Sequence, residues 1–223
     1  MKAALIYTVT TPELIEVVER EVKRVLPKET EIISYEDTTI LEEVREAGYV
    51  TSSAGARLVS LYMEAISAGA DAVLNVCSSV GEVADAAVYL GKYLGVPIVR
   101  IDEEMCREAV RKGSTIGIIA TLPTTMEPTK KTVLRIAREM NRQVKVVEML
   151  AEGGFGMDQA AFQQLMLQSA KKMEDGIDVI LLAQGSMAYC EEFLQKQCGK
   201  QVLSSPRFGA EALEAALKQK GLI

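Results

Sequence analysis

Cys77 is the residue with the most chemistry to offer. It follows the apolar run 71–76 and precedes Ser78 and Ser79, where a helical pattern begins. Free N–H groups and the positive end of a helix dipole favour a thiolate at such a junction. The thiol is therefore expected to fall below its ordinary pKa of about 8.5. It could then remove a proton from carbon, return one, or attack an electrophile. A buried, inert cysteine is the other reading of the same position. Cys106, Cys190 and Cys198 fall inside helical patterns, where the inert reading is favoured, although Cys190 lies only a turn or so beyond Gln184.

The chain contains no histidine, which removes Ser-His-Asp and Cys-His catalysis and every histidine metal site. Its cysteines form no CxxC pair, so neither zinc nor an iron–sulfur cluster is indicated. Acid/base work must fall to Cys, Asp, Glu, Lys or Tyr. The net charge of -6 argues against a nucleic-acid or anionic-membrane partner. A small anionic substrate remains compatible, since local backbone donors can hold it. No apolar run approaches the roughly 18 residues of a membrane span and no cleavable signal is visible, so a cytoplasmic protein with reduced thiols is expected.

The elements that must position these residues alternate along the chain. Strands are expected at 2–7, 31–35, 71–76, 97–100, 114–120, 144–149, 177–183 and 201–203. Between them lie helical patterns such as Pro12–Leu26, with Leu14, Val18, Val22 and Val25 on one face. Continuous Val/Ile/Leu strands separated by helices point to α/β architecture, with parallel sheet covered on both faces.

An internal repeat organises the chain further. Gly69-Ala-Asp-Ala-Val-Leu-Asn-Val-Cys77-Ser-Ser79 superposes without a gap on Gly176-Ile-Asp-Val-Ile-Leu-Leu-Ala-Gln184-Gly-Ser186. A second pair sets Ala4-Leu-Ile-Tyr-Thr8, followed by Thr10, Thr11 and Glu13, against Ile118-Ile-Ala-Thr121, followed by Thr124, Thr125 and Glu127. Generic likeness between βα units is the bland explanation; two related halves facing each other is the one favoured here. The halves are expected at 1–100 and 101–205, and whether the C-terminal helix, 206–223, folds back onto the first half is left open.

Ligands of open parallel sheets bind beyond the carboxyl ends of the strands, and hydroxyl residues collect there: Thr8, Thr10, Ser78, Ser79, Thr121, Thr124, Thr125, Ser186, Ser204 and Ser205. Each is also a candidate helix cap. Ser79-x-x-Glu82 and Thr124-x-x-Glu127 have capping-box spacing, and Ser205 stands before Pro206. Taken together, hydroxyls and backbone amides in one crevice suit a small carboxylate.

Asn75-Val-Cys77-Ser-Ser-Val-Gly-Glu82, the Thr121-Leu-Pro-Thr-Thr loop and Leu182-Ala-Gln-Gly-Ser-Met187 resemble the aspartate/glutamate/hydantoin racemase superfamily. The likeness extends to Glu36-Asp37 and Ser204-Ser-Pro206 and so covers nearly the whole chain. It implies two pseudo-symmetric, Rossmann-like halves, each a parallel four-stranded sheet flanked by helices. The active site would lie in the crevice between them, without a metal or other cofactor. In racemases of this kind one cysteine from each half flanks the substrate's α-carbon. The first maps onto Cys77. The second falls at Gln184, whose amide is neither acid nor base near neutral pH.

The resemblance assigns substrate contacts to Thr8, Asn75, Ser78, Ser79, Thr121, Gly185 and Ser186, with Cys77 and Gln184 as catalytic candidates. The expected activity is a cofactor-independent isomerase or racemase working on a small carboxylate by proton transfer at the adjoining carbon. One alternative is a one-thiol decarboxylase or lyase with Gln184 as a polar, non-basic partner; another is a non-catalytic carboxylate-binding protein. Glu152 and Tyr189 are candidates for a second acid/base, and Arg207 for a substrate contact. A homodimer is the default assembly for a soluble enzyme.

Overall fold

The computed structural model describes residues 1–154, 157–173 and 176–223. In chain order the described elements are β1 (Lys2–Tyr7), α1 (Pro12–Val25), β2 (Glu31–Glu36), α2 (Thr38–Ala47), α3 (Ser52–Ser67) and β3 (Ala72–Asn75). A 3-10 turn, Ser78–Val80, then runs into α4 (Gly81–Leu94), followed by β4 (Ile98–Arg100), α5 (Glu103–Lys112), β5 (Thr115–Ala120), α6 (Pro123–Glu139) and β6 (Lys145–Leu150). The chain continues through α7 (Gln159–Lys172), β7 (Val179–Leu182), a 3-10 segment Gly185–Cys190, α8 (Glu191–Cys198), β8 (Gln201–Ser204) and α9 (Ser205–Gln219). All eight expected strands are present, most of them differing from the expected span by a residue or two at an end.

Two compact units divide the chain: Met1–Ile101 with Pro206–Ile223, and Asp102–Ser205. Each holds a four-stranded parallel sheet, ordered β2-β1-β3-β4 in the first and β6-β5-β7-β8 in the second. The fold is thus α/β, built from two similar halves.

Alternation along β1 explains how the first sheet is covered. Ala4 and Ile6 pack with Ile40 and Val44 of α2, Leu58 and Tyr62 of α3, and Ala84 of α4. Ala3, Leu5 and Tyr7 pack with Leu14, Val18 and Val22 of α1 and with Ala210, Leu213 and Leu217 of α9. Burying both faces is what requires near-continuous apolar strands. In the second unit Ile119, Ile180, Leu182 and Val202 pack with Phe162 and Met166 of α7 and Leu194 of α8.

The repeated Gly-x-Asp segments anchor the amino ends of the sheets. Gly69 and Gly176 turn with φ of 85° and 99°, a region that disfavours residues bearing a Cβ. Two residues on, the Asp71 carboxylate accepts from Lys2 N at 2.8 Å. The Asp178 carboxylate likewise accepts from Ser114 N at 2.7 Å and Thr115 N at 2.8 Å. The repeat therefore holds the central strand of each half in register at the end remote from Cys77 and Gln184.

Helix starts are capped by residues other than those with capping-box spacing. Thr11 accepts from Leu14 N, Asp37 from Thr39 N, Thr51 from Ala54 N and Asp158 from Ala161 N. Ser79 lies inside the 3-10 turn before α4, and Thr124 is already the second residue of α6, whose cap position is Leu122. The capping-box expectation for Thr124 is corrected: its hydroxyl has no hydrogen-bond partner among the described residues, because the chain reaches helical geometry earlier than the spacing suggests. Among the described residues no helix is long and apolar enough to cross a membrane.

Candidate functional site

Cys77 is set by the register of its sheet. Ile6 of β1 pairs with Asn75 of β3, and Val76 N donates to Ile6 O at 2.9 Å. Thr8 and Cys77 each lie two residues beyond that pair, side by side at the carboxyl end of the sheet. Cys77 keeps extended geometry (φ -117°, ψ 116°), and the chain then tightens into Ser78–Val80 and α4. Thr8, Cys77, Ser78 and Ser79 are all buried, with Thr8 1% and Ser78 5% exposed. Neither the Thr8 nor the Ser78 hydroxyl makes a hydrogen bond of ordinary geometry to a described group.

Burial pushes the Cys77 thiol up from its ordinary pKa. The Thr8 hydroxyl, the N–H groups of Ser79 and Val80 and the Ser79 hydroxyl lie close enough to pull it down, and burial outweighs them. The expected lowering is therefore corrected. A helix start offers dipoles worth roughly 0.3–1 kcal/mol at the surface, whereas removing a thiolate from water costs more. The resting group is a thiol surrounded by donors that favour the thiolate.

Asn75 bridges two parts of this end. Its Oδ1 accepts from Tyr62 Oη at 3.0 Å, and its Nδ2 donates to Cys77 O at 2.8 Å, all within the buried interior. Arg100, paired in register with Asn75, is 4% exposed and holds Asp85 at 2.7 Å. Gly81, the first residue of α4, makes room for that guanidinium, since a Cβ there would lie 2.4 Å from Arg100 Nη2.

The second unit repeats the arrangement with different chemistry. Ile119 pairs with Leu182, Ala183 N donates to Ile119 O at 3.0 Å, and Thr121 and Gln184 lie two residues further on. Gln184 is extended (φ -116°, ψ 133°) and precedes the 3-10 segment, as Cys77 does. Its Oε1 accepts from Thr121 N at 2.8 Å, and its Nε2 donates to Thr121 Oγ1 at 2.7 Å. Gly185 is buried and Ser186 half-buried at the start of the 3-10 segment.

The remaining candidates are dispersed. Cys190 is fully buried beside Met187 and Leu194, and burial pushes its thiol up to about 12. Cys106 is also fully buried, and burial raises Cys198. Glu152 is exposed after β6; residues 155 and 156 of its loop lie outside the described residues. Tyr189 is partly exposed, with its ring 5.9 Å from that of Phe162. Arg207 stacks over the neighbouring Phe208 ring. Among the described residues no group of three or more Cys, Asp and Glu could hold a metal ion.

A sequence profile of the Asp/Glu/Hydantoin racemase family matches residues 4–213. The chain belongs to the Asp/Glu/hydantoin racemase family. It is thereby an enzyme of the isomerase class. No curated protein matches it. A glutamate racemase from Bacillus anthracis superposes with a TM-score of 0.74 at 20% identity, covering 100% of this chain and 83% of its own. For an allantoin racemase from Klebsiella pneumoniae the values are 0.67 and 16%, covering 100% and 89%. For the Picrophilus torridus aspartate racemase they are 0.62 and 13%, covering 98% and 93%. At these identities the likeness concerns the fold, two similar α/β halves.

Sequence reasoning missed two residues at the Cys77 end of this racemase-family chain. Tyr62 stands at i+4 from Leu58 and looks like another core contact, while Arg100 closes an apolar strand and looks like a surface charge. A polar tip on an apolar face and an arginine at a strand end opposite Asn75 are the only signals either gives.

Proposed function

We propose that this chain is a cofactor-independent isomerase of small carboxylates, moving a proton at the carbon next to the carboxylate with Cys77 as its acid/base thiol. The observation that carries the reading is the buried Cys77 thiol beside the unpartnered hydroxyls of Thr8 and Ser78. A buried hydroxyl without a partner costs about 1–3 kcal/mol, and a carboxylate oxygen would recover that. Two of the named neighbours support the substrate class, being racemases of glutamate and aspartate.

In this mechanism Thr8, Ser78 and Ser79 donate to the carboxylate, whose charge spreads onto the enolate oxygens as the carbon loses its proton. The Cys77 thiol first gives its proton to solvent, and the thiolate then takes the α-proton. An isomer forms when the resulting S–H delivers a proton to the other face of the enolate, once the planar intermediate has turned over, or to a neighbouring carbon. Gln184, an amide bonded to Thr121, can neither give nor take a proton near neutral pH, so the chemistry uses one thiol.

A second reading is favoured by the protonated resting state of Cys77 together with an amide at position 184. In a decarboxylase the bond between the α-carbon and a carboxylate breaks, its electron pair stays on carbon, and carbon dioxide leaves. Cys77 S–H then gives its proton to that carbon, and the thiolate is reprotonated by solvent.

Incubation in deuterated water with a panel of amino acids and small dicarboxylic acids, followed by NMR and chiral analysis, tests both. Exchange of the α-hydrogen, abolished in Cys77→Ala, is the expected result. Carbon dioxide release with one deuterium incorporated would move the assignment to the second reading. Turnover that survives Cys77→Ala would exclude both.

A further inference from the structure

We infer that Tyr62 and Asn75 form a positioning relay that holds the Cys77 turn, so that the N–H groups of Ser79 and Val80 face the sulfur. The inference rests on the reading of Cys77 as the working thiol, and it takes Asn75 from substrate contact to internal support. The Tyr62 hydroxyl donates to Asn75 Oδ1 at 3.0 Å, and the Asn75 amide donates to the Cys77 carbonyl at 2.8 Å. Tyr62 is fully buried and Asn75 1% exposed, so neither bond has a ready replacement in water. Both dipoles run toward the Cys77–Ser78 peptide, and hydrogen bonds in such a chain polarise one another.

The geometry explains why a relay is needed. The thiol makes no capping hydrogen bond of its own, so its distance from the Ser79 and Val80 amides depends on how the turn is held. The Cys77 carbonyl is the point where the extended strand end gives way to the turn, and Asn75 pins it from two residues upstream. The charged and titratable surroundings come from α3, β4 and α4, and the Thr8 hydroxyl, just past the end of β1, lies beside the sulfur. Tyr62 of α3 sits in the field of Cys77, of Arg100 on β4 and of Asp85 on α4, and burial raises its phenol. Tyr62 is therefore a neutral donor at neutral pH.

The test is the pH profile of Cys77 alkylation by iodoacetamide, read site by site by mass spectrometry, in the wild type, Tyr62→Phe, Asn75→Leu and the double variant. With either single change the Cys77 midpoint is expected to rise and its rate at pH 8 to fall by about threefold to tenfold, the scale of one hydrogen bond. Cys106 and Cys190 should react as in the wild type, and the double variant should be no worse than Asn75→Leu. A Cys77 profile superposable on the wild type, or all four cysteines accelerating together, would overturn the relay. Amide hydrogen exchange at Ser79 and Val80 gives a second readout: faster in Tyr62→Phe if the relay holds the turn, unchanged if it does not. The profile reads the thiol and not turnover. Failure of the catalytic reading, shown by an active Cys77→Ala, is thus distinguishable from failure of the relay.

Discussion

Gln184 closes on Thr121 through its amide: Oε1 accepts the Thr121 backbone N–H at 2.8 Å while Nε2 donates to the Thr121 hydroxyl at 2.7 Å. The register that brings them together is the one that sets Cys77 beside Thr8 in the other half. One half therefore ends in a thiol next to an unpartnered hydroxyl, the other in an amide that has found its hydroxyl.

Replacing Gln184 by Leu leaves the Thr121 N–H and hydroxyl without their partner. Urea denaturation should show a loss of about 1–3 kcal/mol with an unchanged m-value. Gln184→Glu should lose much less, because a carboxylate accepts from both Thr121 donors. Equal losses in the two variants would mean that the hydrogen bonds do not govern stability there.

Two helical glycines should respond oppositely to alanine. At Gly55 in α3 a Cβ would meet only Val50 and Val83 at 3.9 Å, so Gly55→Ala should stabilise by about 0.5–1 kcal/mol from helix propensity. At Gly81 it would lie 2.4 Å from the buried Arg100 guanidinium. That overpacking, typically about 1–3 kcal/mol, should exceed the propensity gain. Thermal unfolding of the pair decides it: Tm should rise for Gly55→Ala and fall for Gly81→Ala.

Stability should decline in alkali through the thiols. Cys190 has a native pKa of about 12 against about 8.5 in an unfolded chain. Between those values the unfolded state holds fewer protons than the native one, so stability falls as pH rises. Cys77 is raised in the same direction. Urea unfolding measured from pH 7.5 to 10.5 should give a downward slope that is shallower in Cys190→Ala; an identical slope would contradict the burial argument.

Asp178 works at the other end of the scale. The Thr115 and Ser114 N–H groups hold its carboxyl below the usual range. Its contribution is therefore present above about pH 4, the unfolded value, and lost as pH falls through the native one. In Asp178→Asn the stability profile between pH 5 and pH 2, followed by circular dichroism, should be flatter than in the wild type.

The central strands were legible because they are apolar runs buried on both faces, and burial of that kind demands the same residues wherever the strand sits. By contrast, β2 and β6 are edge strands whose residues are half-buried or exposed. Cys77 and Gln184 were legible as equivalents because the repeat preserves spacing, and spacing in a parallel sheet fixes register. The same repeat marked Asp71 and Asp178 without revealing that they serve the opposite end of each sheet.

The sequence by itself determined the α/β class, the two-fold internal repeat and the identity of the groups able to do acid/base work, since these follow from periodicity and residue type. Tertiary structure alone decided their state. Packing around Cys77 removes water from a thiol that a helix start would otherwise ionise, and the cost of burial exceeds the gain from the dipole. Tyr62 reaches Asn75, and Arg100 reaches the first turn of α4, only because α3, β3, β4 and α4 converge there. Periodicity shows which face of an element is buried, and it carries no record of which polar tips meet inside.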